Sequence, residues 1–173
     1  MVVREGRSVI LGNMSRTREH GYEVTVRWAG NTGEGTTGYR SYSRDTEITS
    51  AGKPTMIVAS ADKTFVGDPE RWNPEEMLVA ALSQCHMLSF LALCSLKGVV
   101  VTSYEDAARG TMVESAGTPG HFTEVVLTPV VTLAEESMRA TATELHAEAH
   151  RQCFIANSVN FPVTHEPVIR VAG

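Results

Sequence analysis

The amino-acid sequence predicts an α+β fold in which antiparallel sheets pack around a buried central helix. Strand patterns precede one long apolar helix, and further strands, a second helix and a last strand follow it. With 173 residues, of which 42% are hydrophobic, the chain is large enough to bury one sizeable core. We expect a single domain over residues 21–173, preceded by an arm over residues 1–20 that contains four arginines and little periodicity.

The charge and the cysteine content limit the classes of function. A formal charge of -5, spread along the chain without blocks, argues against nucleic acid or a membrane as a partner. No apolar segment typical of a signal peptide follows the first seven residues, so we expect a cytoplasmic protein. In that reducing compartment, the three cysteines are expected to be free, reactive or metal-bound rather than joined in structural disulfides.

The first half of the chain predicts three strands. Apolar residues alternate with polar ones over residues 22–28, the period of a half-buried strand, and residues 39–48 and 55–60 predict two more. We expect Trp28 and Tyr39 to lie in the core beneath these strands. The glycine-rich segment between the first two strands is interpreted as a hairpin turn, because no Walker-type Lys-Ser or Lys-Thr pair follows that would suit a phosphate loop.

Residues 73–96, with the sequence NPEEMLVAALSQCHMLSFLALCSL, predict the central helix. Asn73 is a side-chain cap, Pro74 suits the first helical position, and two glutamates follow at the positive end of the helix dipole. The rest is apolar on every side, so the helix must be covered by protein or by lipid. Polar residues at its midpoint would lack partners in a bilayer, which favours a helix buried in a soluble protein and ended by Gly98.

The second half of the chain predicts further strands and a second helix. Strands are expected over residues 99–104, 107–114, 124–133, 159–163 and 168–171, with a turn at 115–122. Apolar residues recur at spacings of three and four over residues 134–152, which predicts an amphipathic helix. No internal repeat or low-complexity linker divides the chain, which supports a single domain.

Two of the three cysteines lie in surroundings typical of reactive thiols. Cys85 lies among polar residues at the middle of the central helix, and Cys153 ends the second helix beside His150 and Arg151. Cationic neighbours favour the thiolate, which is the nucleophilic form of cysteine. Cys94 follows Cys85 by nine residues and therefore lies on the opposite face of the helix, where we expect a small buried side chain.

Two other kinds of site use the same residues. His146, His150 and Cys153 recur at helical spacing and could supply three ligands of a zinc site, although no fourth ligand lies close in sequence. The alternative for both histidines is a place on the solvated face or a hydrogen bond near the second thiol. A hydrolase that pairs Cys85 with His86 is excluded, because adjacent residues diverge by about 100° around a helix.

The segment NPEEMLVAALSQC, together with a later cysteine in CFIANSVNFPV, resembles the OsmC/Ohr family of thiol peroxidases. The tail HRQCFIANSVNFPVTHEP is similar to an OsmC-like branch of that family, and the resemblance spans residues 21–167. It implies an OsmC-like fold in an intertwined dimer, with no metal or prosthetic group. It also implies that Cys85 attacks a peroxide, that Cys153 resolves the product, and that Glu75 holds an arginine that polarises the thiolate.

The arginine is where this sequence departs from the family. The Gly-Gly-Arg-Asp pattern of the hydroperoxide-resistance branch is absent, and YRSYSRD stands in its place. Arg44 keeps the Arg-Asp pair and is the first candidate, and Arg40 is the second. His86 also follows Cys85 where the best-known peroxidases of the family have an aromatic residue. These differences leave open a second interpretation, in which the protein binds a small apolar ligand and does little peroxide chemistry.

The expected activity is the reduction of organic hydroperoxides to alcohols, through a Cys85 sulfenic acid and a Cys85–Cys153 disulfide. An external thiol or dithiol would then restore both cysteines. Glu75 and Cys85 are ten positions apart, or about 15 Å along one helix, which is too far for one arginine to pair closely with both. A second copy of the chain, with its central helix antiparallel to the first, would bring the two groups together in a homodimer.

Overall fold

The computed structural model describes residues 18–172, which contain two α-helices and nine strands. The predicted arm over residues 1–20 therefore lies almost entirely outside the described residues. The helices are α1 (Pro74–Lys97) and α2 (Arg139–Gln152), and short 3-10 turns cover Lys63–Phe65, Glu136–Met138 and Ala156–Ser158. The strands are β1 (Thr25–Trp28), β2 (Thr46–Thr49), β3 (Ile57–Ala59), β4 (Val101–Asp106), β5 (Arg109–Ser115), β6 (Thr118–Leu127), β7 (Pro129–Leu133), β8 (Val163–His165) and β9 (Val168–Val171).

The strands form three sheets of three strands each, in the orders β1-β2-β3, β4-β7-β9 and β5-β6-β8. The expected α+β class is confirmed; the sheet β1-β2-β3 is wholly antiparallel, whereas the other two sheets are mixed. β8 runs parallel to β6, and β9 runs parallel to β7. Parallel neighbours need a long crossover connection, and the segment that contains α2 supplies it between the two pairs.

Several predicted elements differ from the observed ones, among them the strand expected over residues 159–163, of which Val163 alone lies in a strand, β8. The strand expected over residues 124–133 is two strands in different sheets, β6 and β7, which separate at Thr128. There the backbone N–H of Thr128 donates to Oδ1 of Asp106 at 2.7 Å, and Pro129, which has no N–H, follows. The turn expected at 115–122 is only two residues long, because Gly117 adopts the left-handed φ of 83° that a tight hairpin requires.

The prediction of a strand over residues 39–48 is right only for its last residues, which belong to β2. Residues 39–45 form turns, in which carbonyl oxygens accept hydrogen bonds from the Arg44 guanidinium instead of from a neighbouring strand. Tyr39 is 61% exposed in this loop, and Trp28 on β1 is 41% exposed. The prediction that Trp28 and Tyr39 belong to the core is therefore wrong for the single chain.

Helix α1 begins and ends as the sequence predicts. Oδ1 of Asn73 accepts the N–H of Glu76 at 2.8 Å, and the Glu76 carboxylate accepts the N–H of Asn73 at 3.3 Å, which completes a capping box. Gly98 ends the helix with a φ of 71°, a conformation that costs least for glycine. Both ends are therefore determined by local hydrogen bonds rather than by packing alone.

One stripe of α1 is fully buried, and the opposite face is not covered. The buried residues recur every fourth position and face α2; they are Leu82, His86, Phe90 and Cys94. Leu88 is 56% exposed and Leu96 is 80% exposed. In the part of the chain that the structure describes, α1 is the one helix long and apolar enough to cross a membrane, with a mean hydropathy of 1.8. A central helix inside a protein has the same composition.

The core is divided between two clusters that follow one another along the buried stripe of α1. The larger cluster, which packs α1 against α2, β4 and β7, includes Phe90, Val131, Leu133 and Leu145. Cys94 is 1% exposed within it, as the sequence predicts for this cysteine. The smaller cluster contains Leu82, Val125 and Leu127 beneath the sheet β5-β6-β8.

Candidate active site

Cys85 and Cys153 lie side by side where the middle of α1 meets the end of α2. Their side chains are neighbours, close enough for Cys85 to raise the pKa of Cys153, although they are far apart in the sequence. Cys85 is partly exposed, whereas Cys153 is 1% exposed. The structure therefore brings together the two thiols that the sequence assigns to attack and resolution, and it does so within one chain.

The surroundings of Cys153 keep it protonated. Its sulfur accepts the backbone N–H of Ala156 at 3.4 Å, at the start of the turn that follows α2. Burial, followed by the contact with Cys85, raises the pKa of the Cys153 thiol to about 11. Arg151 does not oppose this shift, because it pairs with Glu148 on the outer side of α2. The expectation that nearby cations partly ionise the Cys153 thiol is therefore wrong for the reduced protein.

Glu75 lies in the first turn of α1, where its carboxylate has an unpaired oxygen. Oε2 of Glu75 is buried and accepts no hydrogen bond from the described residues. A buried carboxylate oxygen without a partner costs free energy. The position therefore suits a cationic side chain that the single chain does not supply.

A cavity of about 880 Å³ opens beside α1, next to Glu75. The apolar part of its wall is formed by Val79, Met87, Met112 and Phe122. Neither Cys85 nor Cys153 lines it. Ser83, which does line it, lies two positions before Cys85 and so about 200° from it around the helix. The cavity and the thiol pair are therefore on opposite flanks of α1 in one chain.

The structure does not bring either predicted arginine to the thiols of the same chain. The Arg44 guanidinium lies over the rings of Tyr39 and Tyr42, at 4.4 and 4.2 Å from their centroids. It also donates to the carbonyl oxygens of these two tyrosines, at 2.6 and 2.7 Å. Arg40 is exposed in the same loop. Asp45, the acidic half of the Arg-Asp pair, lies 3.4 Å from Arg71, an arginine that sequence reasoning did not consider.

Four histidines meet between α1, α2 and β8, next to the thiols, and the sequence analysis did not predict this arrangement. We call them the histidine cluster: His86, His146, His150 and His165. Nε2 of His86 and Nδ1 of His146 form a direct hydrogen bond of 3.2 Å. The ring of His165 lies 5.3 Å from the rings of both His86 and His150. The burial of His86 could have been predicted from the sequence, because this residue falls between Leu82 and Phe90 at helical spacing.

Three members of the histidine cluster, His86, His146 and His165, are uncharged near neutral pH. Burial, and then the neighbouring histidines, lower the pKa of His86 to about 4 and that of His146 to about 3. Burial, followed by His150, also lowers the pKa of His165. His146 is fully buried rather than on the solvated face. Over residues 18–172, no group of three or more histidine, cysteine or acidic side chains is arranged to hold a metal ion.

Comparison with known proteins identifies the family. The family model described as OsmC-like protein matches residues 67–167, more than half of the chain. The chain belongs to the OsmC-like family. An OsmC-like protein of unknown function from Vibrio cholerae is similar to it over 87% of this chain and 100% of that one, with 34% identity and a TM-score of 0.77. The fold predicted from the resemblance is thereby confirmed, whereas the dimer is not tested.

More distant solved structures share the OsmC-like fold. An organic hydroperoxide resistance protein OsmC from Legionella pneumophila is 10% identical, with a TM-score of 0.61 and coverage of 89% of this chain and 99% of that one. An organic hydroperoxide resistance protein from Elizabethkingia anophelis is 14% identical, with a TM-score of 0.64 and coverage of 91% and 100%. No curated protein matched the sequence. At these identities the likeness concerns the fold alone.

Proposed function

We propose that this OsmC-like protein is a thiol-dependent peroxidase that reduces organic hydroperoxides to alcohols in the cytoplasm. The observation that carries the proposal is the contact between Cys85 and Cys153 across the junction of α1 and α2. A peroxidatic thiol needs a second thiol close enough to trap its oxidised form before further oxidation. Two cysteines already in contact meet this need without a large movement of the backbone.

The proposed reaction has three steps. The Cys85 thiolate attacks the distal oxygen of the hydroperoxide, the O–O bond breaks, and the alkoxide takes a proton and leaves as the alcohol. Cys153 then attacks the sulfur of the Cys85 sulfenic acid, which forms the disulfide and releases water. An external thiol or dithiol reduces the disulfide by exchange and returns both cysteines to their starting state.

The complete site would need two chains. Within one chain, the outer face of α1 and the sheet β1-β2-β3 leave apolar side chains exposed, including Val24 at 69%, Val26 at 61% and Leu88 at 56%. A homodimer with antiparallel α1 helices would cover these faces and bring Glu75 of one chain level with Cys85 of the other. Arg44 or Arg40 would then reach the unpaired oxygen of Glu75.

The same packing supports an organic substrate. In such a dimer, the cavity beside Glu75 of one chain would adjoin the thiol pair of the other. Its wall includes the large apolar side chains of Val79, Met87, Met112 and Phe122. Apolar area buried by a substrate contributes roughly 25 cal/mol per Å², which an alkyl or aryl hydroperoxide gains and hydrogen peroxide does not.

A second candidate function is the binding of a small apolar ligand without peroxide chemistry. The observation that favours it is the position of Arg44, which is held by Tyr39 and Tyr42 rather than beside a thiol. A thiol titration distinguishes the two candidates. One equivalent of cumene hydroperoxide should remove two thiols per chain from the wild type and none from Cys85→Ser, whereas an unchanged thiol count in the wild type would favour ligand binding.

A further inference from the structure

Resolution of the Cys85 sulfenic acid requires a base that takes the proton of the Cys153 thiol. Cys153 must lose its proton before its sulfur can attack, because the thiolate is the nucleophile. Burial raises the pKa of this thiol to about 11. Little of a thiol held at so high a pKa is ionised at neutral pH without help. A neighbouring proton acceptor would therefore increase the rate of this step greatly.

His150 is the imidazole closest along the chain to that thiol. It lies one helical turn before Cys153, whose backbone N–H donates to the carbonyl oxygen of His150 at 3.3 Å. Side chains three positions apart on a helix are neighbours. Nδ1 of His150 is buried and has no hydrogen-bond partner among the described residues. The ring therefore has no Nδ1 hydrogen bond to break before it turns towards the sulfur.

The histidines around His150 add no positive charge beside it. His86, His146 and His165 are held neutral, mainly by burial. His86 of α1 and His165 of β8 lie close enough for His150 to lower their pKa values, and His146 and Cys153 lie one helical turn before and after it. The charged neighbours on α2, Glu148 and Arg151, pair with each other on the outer side of the helix.

We propose that His150 accepts the thiol proton of Cys153 during resolution, an inference that rests on the proposed peroxidase function. Nδ1 of His150 takes the proton as the Cys153 sulfur attacks the Cys85 sulfur. The S–S bond forms and the S–O bond of the sulfenic acid breaks. The departing hydroxide takes the proton back from His150 and leaves as water, so the imidazole ends neutral and the hydroperoxide remains the only oxidant.

The test measures the attack by Cys153 without any peroxide. Cys85 is first converted to its mixed disulfide with 5-thio-2-nitrobenzoate, and the release of the coloured thiolate then reports the attack by Cys153. His150→Gln should slow this release by about 100-fold at neutral pH. His121→Gln, which changes an exposed histidine on β6 outside the histidine cluster, should release the thiolate at the wild-type rate. His150→Asn serves as a second variant if His150→Gln does not fold.

Two further readouts separate proton transfer from a structural role. The rate of His150→Gln should rise about tenfold per pH unit, since only solvent then deprotonates the thiol, and the wild-type rate should rise less steeply. Added imidazole should restore part of the rate of the variant. Release at the wild-type rate, or slow release with neither the steeper pH profile nor imidazole rescue, would overturn the proposal.

Failure of the peroxidase function would give a different result. If Cys85 of the wild type did not react with cumene hydroperoxide, the peroxidase function would fall. The exchange assay would still decide whether His150 activates Cys153, because that assay contains no hydroperoxide. Conversely, a wild type that loses two thiols to the hydroperoxide, with no effect of His150→Gln on release, would keep the peroxidase function and remove His150 from it.

Discussion

Acidification from pH 7.5 to pH 5 should destabilise the protein through His86 and His146. Both are fully buried, and their pKa values in the folded chain are lowered from 6.5 to about 4 and about 3. In the unfolded chain both bind protons below about pH 6.5. Above that pH, neither state binds protons at these histidines, so they do not make stability depend on pH. Between about pH 6.5 and 4 the unfolded chain binds more protons than the folded chain, and the free energy of unfolding therefore falls with the pH.

The size of this loss follows from the shifts. One pH unit below the unfolded pKa corresponds to about 1.4 kcal/mol for each histidine that stays neutral in the folded chain. At pH 5 this amounts to about 2 kcal/mol for each of the two. Both histidines stay neutral at pH 5 in the folded chain, and their repulsion opposes only a second proton, so the pair together should lose about 4 kcal/mol. That is a large part of the 5–15 kcal/mol by which a typical domain is stable.

The assay is urea unfolding at both pH values and at one protein concentration, for the wild type and for a His86→Leu/His146→Phe double variant. The double variant replaces the hydrogen-bonded pair by apolar side chains, and the stacked position of His146 against Phe90 suits an aromatic ring. It should lose about 4 kcal/mol less than the wild type between the two pH values. The exposed control His121→Gln should behave as the wild type. Equal losses in the wild type and the double variant would refute the reasoning.

Three further outcomes are expected. Cys153→Ser should reduce one equivalent of hydroperoxide and then accumulate sulfinic acid at Cys85, seen by mass spectrometry; a stable sulfenic acid over repeated cycles would contradict the role of Cys153. Refolding Glu75→Ala with Cys85→Ser chains should restore about a quarter of the wild-type activity if each site uses both chains, and no recovery would argue for a site within one chain. Gly98→Ala should cost about 1 kcal/mol in urea unfolding, because Gly98 has a φ of 71°, and unchanged stability would contradict this cap.

The sequence predicted the central helix well because its limits depend on local chemistry. Asn73, Pro74 and Gly98 act on the backbone next to them, so their effects are visible in a short segment. The parallel pairing of β8 with β6 was not visible, because strand direction depends on how the whole crossover through α2 packs. The split of residues 124–133 at Thr128 depends likewise on Asp106, which is remote in sequence.

The candidate site divides in the same way. The two cysteines and Glu75 were predicted from the resemblance to the family, because they lie in recognisable motifs. Their roles remain predictions. The histidine cluster draws its members from three elements that no motif links, so only the folded chain brings them together. Arg44 is held by tyrosines of its own loop, and whether it turns to Glu75 depends on a second chain.

The most direct test of the account is peptide mapping after one turnover. The reduced protein is treated with one equivalent of cumene hydroperoxide, alkylated and digested without reductant. A disulfide between Cys85 and Cys153 is expected, since their side chains are neighbours. Cys94 should not be oxidised, because it is buried and its pKa is raised to about 11, so it can still be alkylated once the protein is unfolded. Closure of this loop of about 70 residues should also raise the free energy of unfolding by about 4 kcal/mol. A Cys85–Cys94 link, or three free thiols, would contradict the central claim.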